Sequence, residues 1–96
     1  MIKFIDEVPN HAVVVEIFLK DGTKYEVCTF FHAFEYLKNS LNKSAIEEYG
    51  KDYMESQLQL KIEDGSIPKY FAFYWVGNNS TEIDISCIES WKYLHN

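Results

Sequence analysis

Residues 12–30 read AVVVEIFLKDGTKYEVCTF, two β-prone runs either side of Asp21-Gly22. An Asp-Gly turn between such runs is a strong hairpin signal, so an antiparallel strand pair is the local solution that most limits the rest of the fold. A two-residue loop would set Ile17 against Glu26 and Leu19 against Lys24, mixing apolar and charged residues on each face. A three-residue loop of Lys20, Asp21 and Gly22, with Gly22 in the left-handed position, pairs Leu19 with Thr23, Ile17 with Tyr25 and Val15 with Val27. The second register is the consistent one. It leaves Glu16 facing Glu26, a repulsion that Lys24 can relieve diagonally.

After the hairpin the period changes. Phe30, Ala33, Phe34, Leu37 and Leu41 recur at helical spacing behind Thr29, a suitable cap. Ser44-x-x-Glu47 has the form of a capping box and opens a second helix, with Ile46, Tyr49, Tyr53 and Met54 along one side and an end near Ser56. Leu58, Leu60 and Ile62 alternate as in a strand, which Asp64-Gly65 and Ile67-Pro68 terminate. The stretch YFAFYWV, residues 70–76, reads as another strand, and TEIDIS, residues 81–86, as its partner. Ser86-x-x-Glu89 predicts a last helix with Ile88, Trp91 and Leu94 facing inward.

These elements predict one domain over residues 1–96, an α+β fold of order ββααβββα: two layers, with an antiparallel sheet of about five strands and the helices mainly on one face. A three-residue loop of Asn78, Asn79 and Ser80 would set Trp75 against Ile83 and Phe73 against Ile85, giving a uniformly apolar side. Phe71, Phe73 and Trp75 then belong to the core, together with Val13, Val15, Ile17, Val27, Leu58, Leu60, Ile83 and Ile85. The outer side carries Val14, Glu16, Phe18, Glu26, Tyr70, Tyr74, Val76, Glu82 and Asp84. In competing arrangements the helices are shared between both faces, or the last helix and residues 1–10 cross over, and those residues become ordinary core and rim.

Charge limits the partners. The formal charge is −6, and the nine basic residues are all Lys. Without the planar fork of Arg and with a net negative field, a nucleic-acid role is disfavoured, and a basic protein is the better-matched partner. Two cysteines, Cys28 and Cys87, are too few for a disulfide scaffold, and no apolar run has the length of a signal peptide or a membrane span, so a cytoplasmic setting is expected. Heavy use of Lys, Asn, Ile, Phe and Tyr without Arg is the residue usage of an AT-rich coding genome, such as some bacteria and their phages have.

No catalytic signature stands out. Cys28 and His32, or Cys87 and His95, do not have the spacing of zinc knuckles, and the four isolated glycines form no phosphate loop. On the registers above, Cys28 points outward and Cys87 inward, which argues against a disulfide between them. The sequence therefore predicts neither metal nor cofactor. Its main functional expectation is a protein-binding module of the inhibitor, immunity or regulatory type, which occupies a basic partner such as a nuclease. Tyr70, Tyr74 and Phe18 would supply desolvated anchors, and Glu16, Glu26, Glu82 and Asp84 the complementary charge. The alternatives are a structural or regulatory homodimer using the outer sheet face, and a small enzyme using Cys28 or a carboxylate pair such as Glu82 and Asp84.

Overall fold

A computed structural model describes residues 1–94 of the chain. It is an α+β protein of two compact units, one comprising Met1–Phe31 and the chain from Tyr70 onward, the other His32–Lys69. The first holds a six-stranded sheet built from β1 (Ile2–Lys3), β2 (Val13–Leu19), β3 (Lys24–His32), β4 (Tyr70–Val76), β5 (Asn79–Ile83) and β6 (Ile88–Tyr93), in the spatial order β1-β6-β2-β3-β4-β5. The pairings of β1 with β6, β2 with β3, β2 with β6 and β4 with β5 are all antiparallel. The second unit holds α1 (Ala33–Leu37), α2 (Lys43–Tyr49) and α3 (Lys51–Glu63). The observed order is therefore βββαααβββ, in place of ββααβββα.

The hairpin closes as the polar–apolar pattern requires. The Leu19 N–H donates to the Thr23 carbonyl at 2.8 Å, Ile17 pairs with Tyr25, and Gly22 takes a φ of +92°, which a side chain would strain. Further from the turn the register shifts by one, so that Val15 pairs with Cys28 rather than Val27. The extra residue lies on β3, where Glu26 and Val27 both stand opposite Glu16, the two-against-one pattern of a β-bulge. The bulge reverses the facing of everything beyond it. Cys28 and Phe30 turn into the core and Val27 turns out, 49% exposed.

A second parity reversal occurs in the aromatic strand. Gly77 and Asn78 form a two-residue turn, with Gly77 at φ +60°, and β4 pairs Ala72 with Ile83, Tyr74 with Thr81 and Trp75 with Ser80. Ala72 is fully buried in the core cluster, and Tyr70 and Tyr74 pack against that cluster. Side chains alternate along a strand, so Phe71, Phe73 and Trp75 occupy the other face. Trp75 is 42% exposed and is not the core residue that the longer loop would have made it.

The core has Val15, Ile17, Cys28, Phe30, Ala72, Ile83, Ile88 and Trp91 at its centre. It is closed by the N-terminal segment, which returns across the sheet. Phe4 sets its ring edge-on to Phe30 at 5.9 Å and to Tyr70 at 6.0 Å, and its N–H donates to the Glu89 carbonyl at 3.0 Å. The Trp91 indole N–H donates to the Glu7 carbonyl at 2.8 Å. The segment covers the side of the sheet that carries Val15 and Ile17, not the side of Val14 and Glu16 that a crossing of residues 1–10 was expected to cover, and it makes Tyr70 a core-packing residue.

Trp91 lies on a strand, not on a closing helix. Asp84, rather than a Ser86 capping box, initiates the short 3₁₀ turn Ile85–Cys87, and β6 then pairs Ile17 with Trp91 and Val15 with Tyr93. Ile88 and Trp91 are buried, as a helix would also have had them, because a three-residue spacing fits either element once a bulge intervenes; the β2–β6 register shifts between Phe18 and Leu19.

In the helical unit, Asn42 caps α2 by accepting the Ala45 N–H at 3.1 Å, two residues before Ser44, the expected cap. Gly50, at φ +91°, ends α2 and begins α3. Residues 57–62 are helical and not a strand. Leu58 and Ile62 are buried one turn apart while Leu60 between them is 54% exposed, so only two of the three alternating apolar residues serve a core. Their neighbours Lys, Gln, Glu and Met are good helix formers, and summed over α3 this outweighs a three-residue alternation.

The two tryptophans should therefore differ sharply on replacement. Trp91→Ala removes a fully buried ring and is expected to cost about 3–5 kcal/mol, a large part of the ~5–15 kcal/mol that folds a domain. Trp75→Ala should cost about 1 kcal/mol. Urea unfolding followed by far-UV circular dichroism measures both; equal losses would contradict the parity of β4.

Candidate functional site

The sheet face turned away from the core is where exposed apolar side chains gather. Val14 pairs with Thr29 across β2 and β3, and the Trp75 indole N–H on β4 donates to Thr29 Oγ at 3.0 Å. Val14 and Trp75 are 46% and 42% exposed, and with Val27 they form an apolar patch over three strands. The Thr29 hydrogen bond holds the indole in one orientation while leaving much of its ring in water, so a partner would meet a ring already ordered. Next to this patch a shallow groove of about 390 Å³ is lined by Tyr25, Val27, Tyr74, Trp75 and Val76, with Lys24 and Glu26 at its rim. Val76 is 68% exposed.

Charge on this face is partly internally matched. Lys24 Nζ lies 3.5 Å from Glu16 and 3.4 Å from Glu26, and Lys92 Nζ lies 3.2 Å from the other Glu16 oxygen. Glu16 is thus held between two lysines on neighbouring strands, which permits a carboxylate only 7% exposed. The hydrogen bond to Glu26 and the charge of Glu16 raise the Lys24 pKa above its ordinary value. The like-charge pair anticipated from the hairpin exists, and Lys24 bridges it.

The residues singled out from the sequence do not form one site. Glu16, Phe18 and Glu26 surround Lys24, with Phe18 half-buried and paired in register with Lys24. Tyr74 lines the adjacent groove, its ring stacked on Tyr25 at 4.2 Å and 9°. Glu82 is exposed opposite Phe73, on the same face as Trp75. Tyr70 packs on Phe4 and Phe30 on the core side, and Asp84 is engaged in its turn. Tyr70 and Tyr74 therefore do not share the outward face with Glu82, as the longer loop implied. The residues not anticipated are Trp75, Val14 and Val27. Gly77-Asn78 read as a two-residue turn would have placed Trp75 outward from sequence alone.

The helical unit has its own exposed apolar residues. The Tyr49 and Tyr53 rings meet at 5.7 Å with a 36° tilt, and they are 57% and 52% exposed.

Candidate chemistry is sparse. Cys28 is fully buried in the core and not outward, and burial pushes its thiol up to about 12, the opposite of what a nucleophile needs. Cys87 is exposed rather than inward, and both thiols are free. His95 lies outside the described residues. Among the described residues no three His, Cys, Asp or Glu side chains converge as metal ligands, and no helix is long and apolar enough to cross a membrane. Comparison with protein-family models, with curated proteins and with solved structures yields no match.

Three turns share one device. The carboxylates of Asp21, Asp64 and Asp84 accept the backbone N–H two residues on, from Thr23 at 2.8 Å, Ser66 at 2.8 Å and Ser86 at 2.9 Å. Hydrogen bonds from the hydroxyls and N–H groups of those residues hold all three below the ordinary aspartate value of 3.8.

Two outcomes follow from these groups. A thiol reagent at neutral pH should modify Cys87 rapidly and leave Cys28 untouched until urea unfolds the chain, read by mass spectrometry of the peptides; modification of native Cys28 at the Cys87 rate would contradict its burial. The lowered aspartate values mean that the folded state binds these protons less readily than the unfolded chain. Their stabilisation is present above pH ~4 and is lost as pH falls through the lowered values. Replacing Asp21, Asp64 and Asp84 together by Asn keeps the acceptor oxygens but removes the titration, so the loss of urea midpoint below pH ~4 should become shallower than in the wild type.

Proposed function

We propose that this chain is a protein-binding module of the inhibitor, immunity or regulatory type, which works by occupying the surface of a basic partner such as a nuclease in a bacterial or phage-infected cytoplasm. The observation that carries this reading is Trp75, an exposed indole tethered to Thr29, with exposed Val14 and Val27 on the same face and Val76 lining the adjoining groove. Aromatic anchors with a polar handle supply most of the affinity in small interfaces, and Trp is prominent among them. Glu26 and Glu82, on the same face, give the rim a sign that matches a basic partner and speeds encounter, as does the net charge of −6. Tyr74 remains in the reading as a wall of the groove beside Trp75, and Glu16 and Phe18 as its support.

The test is affinity capture from a bacterial lysate at low and high salt, with wild type, Trp75→Ala and the double variant Glu26→Lys, Glu82→Lys. A specific basic partner should be captured by the wild type, lost by about tenfold or more with Trp75→Ala, and bound with weaker salt dependence by the double variant. Identical capture by all three would remove this face as the site. The uncharged centre of the same patch also suits a second copy of this chain, which would make the protein a homodimer. Sedimentation at micromolar concentration decides that reading, since a strict monomer eliminates it.

A further inference from the structure

We propose that the groove between the N-terminal segment and the Ile85–Glu89 passage is a binding site for a small amphipathic carboxylate, with its apolar body over the core edge and its charged head between Lys3 and Lys20. The groove encloses about 570 Å³, within the ~300–1,000 Å³ of small-molecule sites. Phe4, Val8, Tyr70, Ile85 and Ile88 line it, and Ile5, 90% exposed, stands at its edge. An isoleucine so open to water gains area from an apolar ligand laid beside it.

The distribution of charge selects the head group. The sheet unit contains four lysines, Lys3, Lys20, Lys24 and Lys92, against eight Asp and Glu residues. Lys24 and Lys92 are committed to Glu16 and Glu26. Lys3 and Lys20 have no ion-pair partner among the described residues, and both line this groove, where Glu89 is the one carboxylate. An acidic unit that places its two uncommitted cations at one apolar groove presents a local field opposite to its net charge. A single carboxylate on an aliphatic or aromatic body fits that arrangement; a neutral or cationic head does not. The backbone framing the groove is fixed by hydrogen bonds, Phe4 N–H to Glu89 carbonyl at 3.0 Å and Lys20 N–H to Cys87 carbonyl at 2.9 Å, so the site is formed without a ligand.

The site uses none of the residues of the Trp75 patch, so the two readings stand or fall separately. The experiment is a titration of the ¹⁵N-labelled protein with decanoate, decanol and decyltrimethylammonium, all below their micelle concentrations, in wild type and in the double variant Lys3→Gln, Lys20→Gln. Decanoate should shift the Phe4, Val8 and Ile88 amides saturably and bind about tenfold or more tightly than decanol, with decyltrimethylammonium weaker still. The double variant, whose replaced side chains are exposed, should keep its fold and lose the preference of decanoate over decanol. Absence of saturable shifts in the groove, equal binding of decanoate and decanol, or an unchanged preference in the double variant would each overturn the proposal.

Discussion

The contact between Trp91 and the N-terminal segment is the constraint on which the sheet unit depends. A six-stranded antiparallel sheet must hide one face, and in this unit a stretch of about ten residues with little regular structure contributes to that cover. Such a cover stays in place only if its backbone groups find partners, and the indole N–H to the Glu7 carbonyl and the Phe4 N–H to the Glu89 carbonyl provide them. Phe4 then completes an aromatic cluster with Phe30 and Tyr70. The consequence for function is direct. Once Tyr70 and Tyr74 belong to the covered face, the alternating strand sends Trp75 to the other, and the exposed patch and the groove beneath Ile5 become two separate surfaces.

The bulge at Glu26 and Val27 has a comparable effect over a shorter range. It places two side chains opposite Glu16, one charged and one apolar, where regular pairing would have placed one. Lys24 can then meet both glutamates while Lys92 takes the second oxygen of Glu16 from β6. A nearly buried carboxylate is costly unless both its oxygens are matched, so this three-strand network and the bulge support each other. Val27, displaced outward by the same bulge, joins Val14 and Trp75. Polar and apolar features of the outward face thus have one geometric origin.

Much of this was legible beforehand. The Asp21-Gly22 hairpin, its three-residue loop and the pairing of Ile17 with Tyr25 follow from alternation near the turn, where few residues separate the partners and register errors cannot accumulate. Cys28 shows the limit: the bulge lies between Tyr25 and Cys28, and nothing in EVC announces an extra residue, so its facing came out reversed. The run Leu58, Leu60, Ile62 shows another, because three alternating apolar residues also contain an i, i+4 pair, and length and composition of the whole segment decide between them. The closing segment erred in the opposite direction, since Ile88 and Trp91 fit a helix spacing until the pairing with β2 is known.

By itself the sequence determined the class, an antiparallel α+β chain with an acidic surface, no Arg, and an aromatic strand placed after a helical insertion. These depend on local preference and on composition, which are properties of short segments. Which ring of residues 70–76 faces the core, which cysteine is buried, and which lysines remain uncommitted were decided only by the tertiary structure. Each depends on a register, and a register is set by partners far away in the chain, where a shift of one residue exchanges the two faces of a strand.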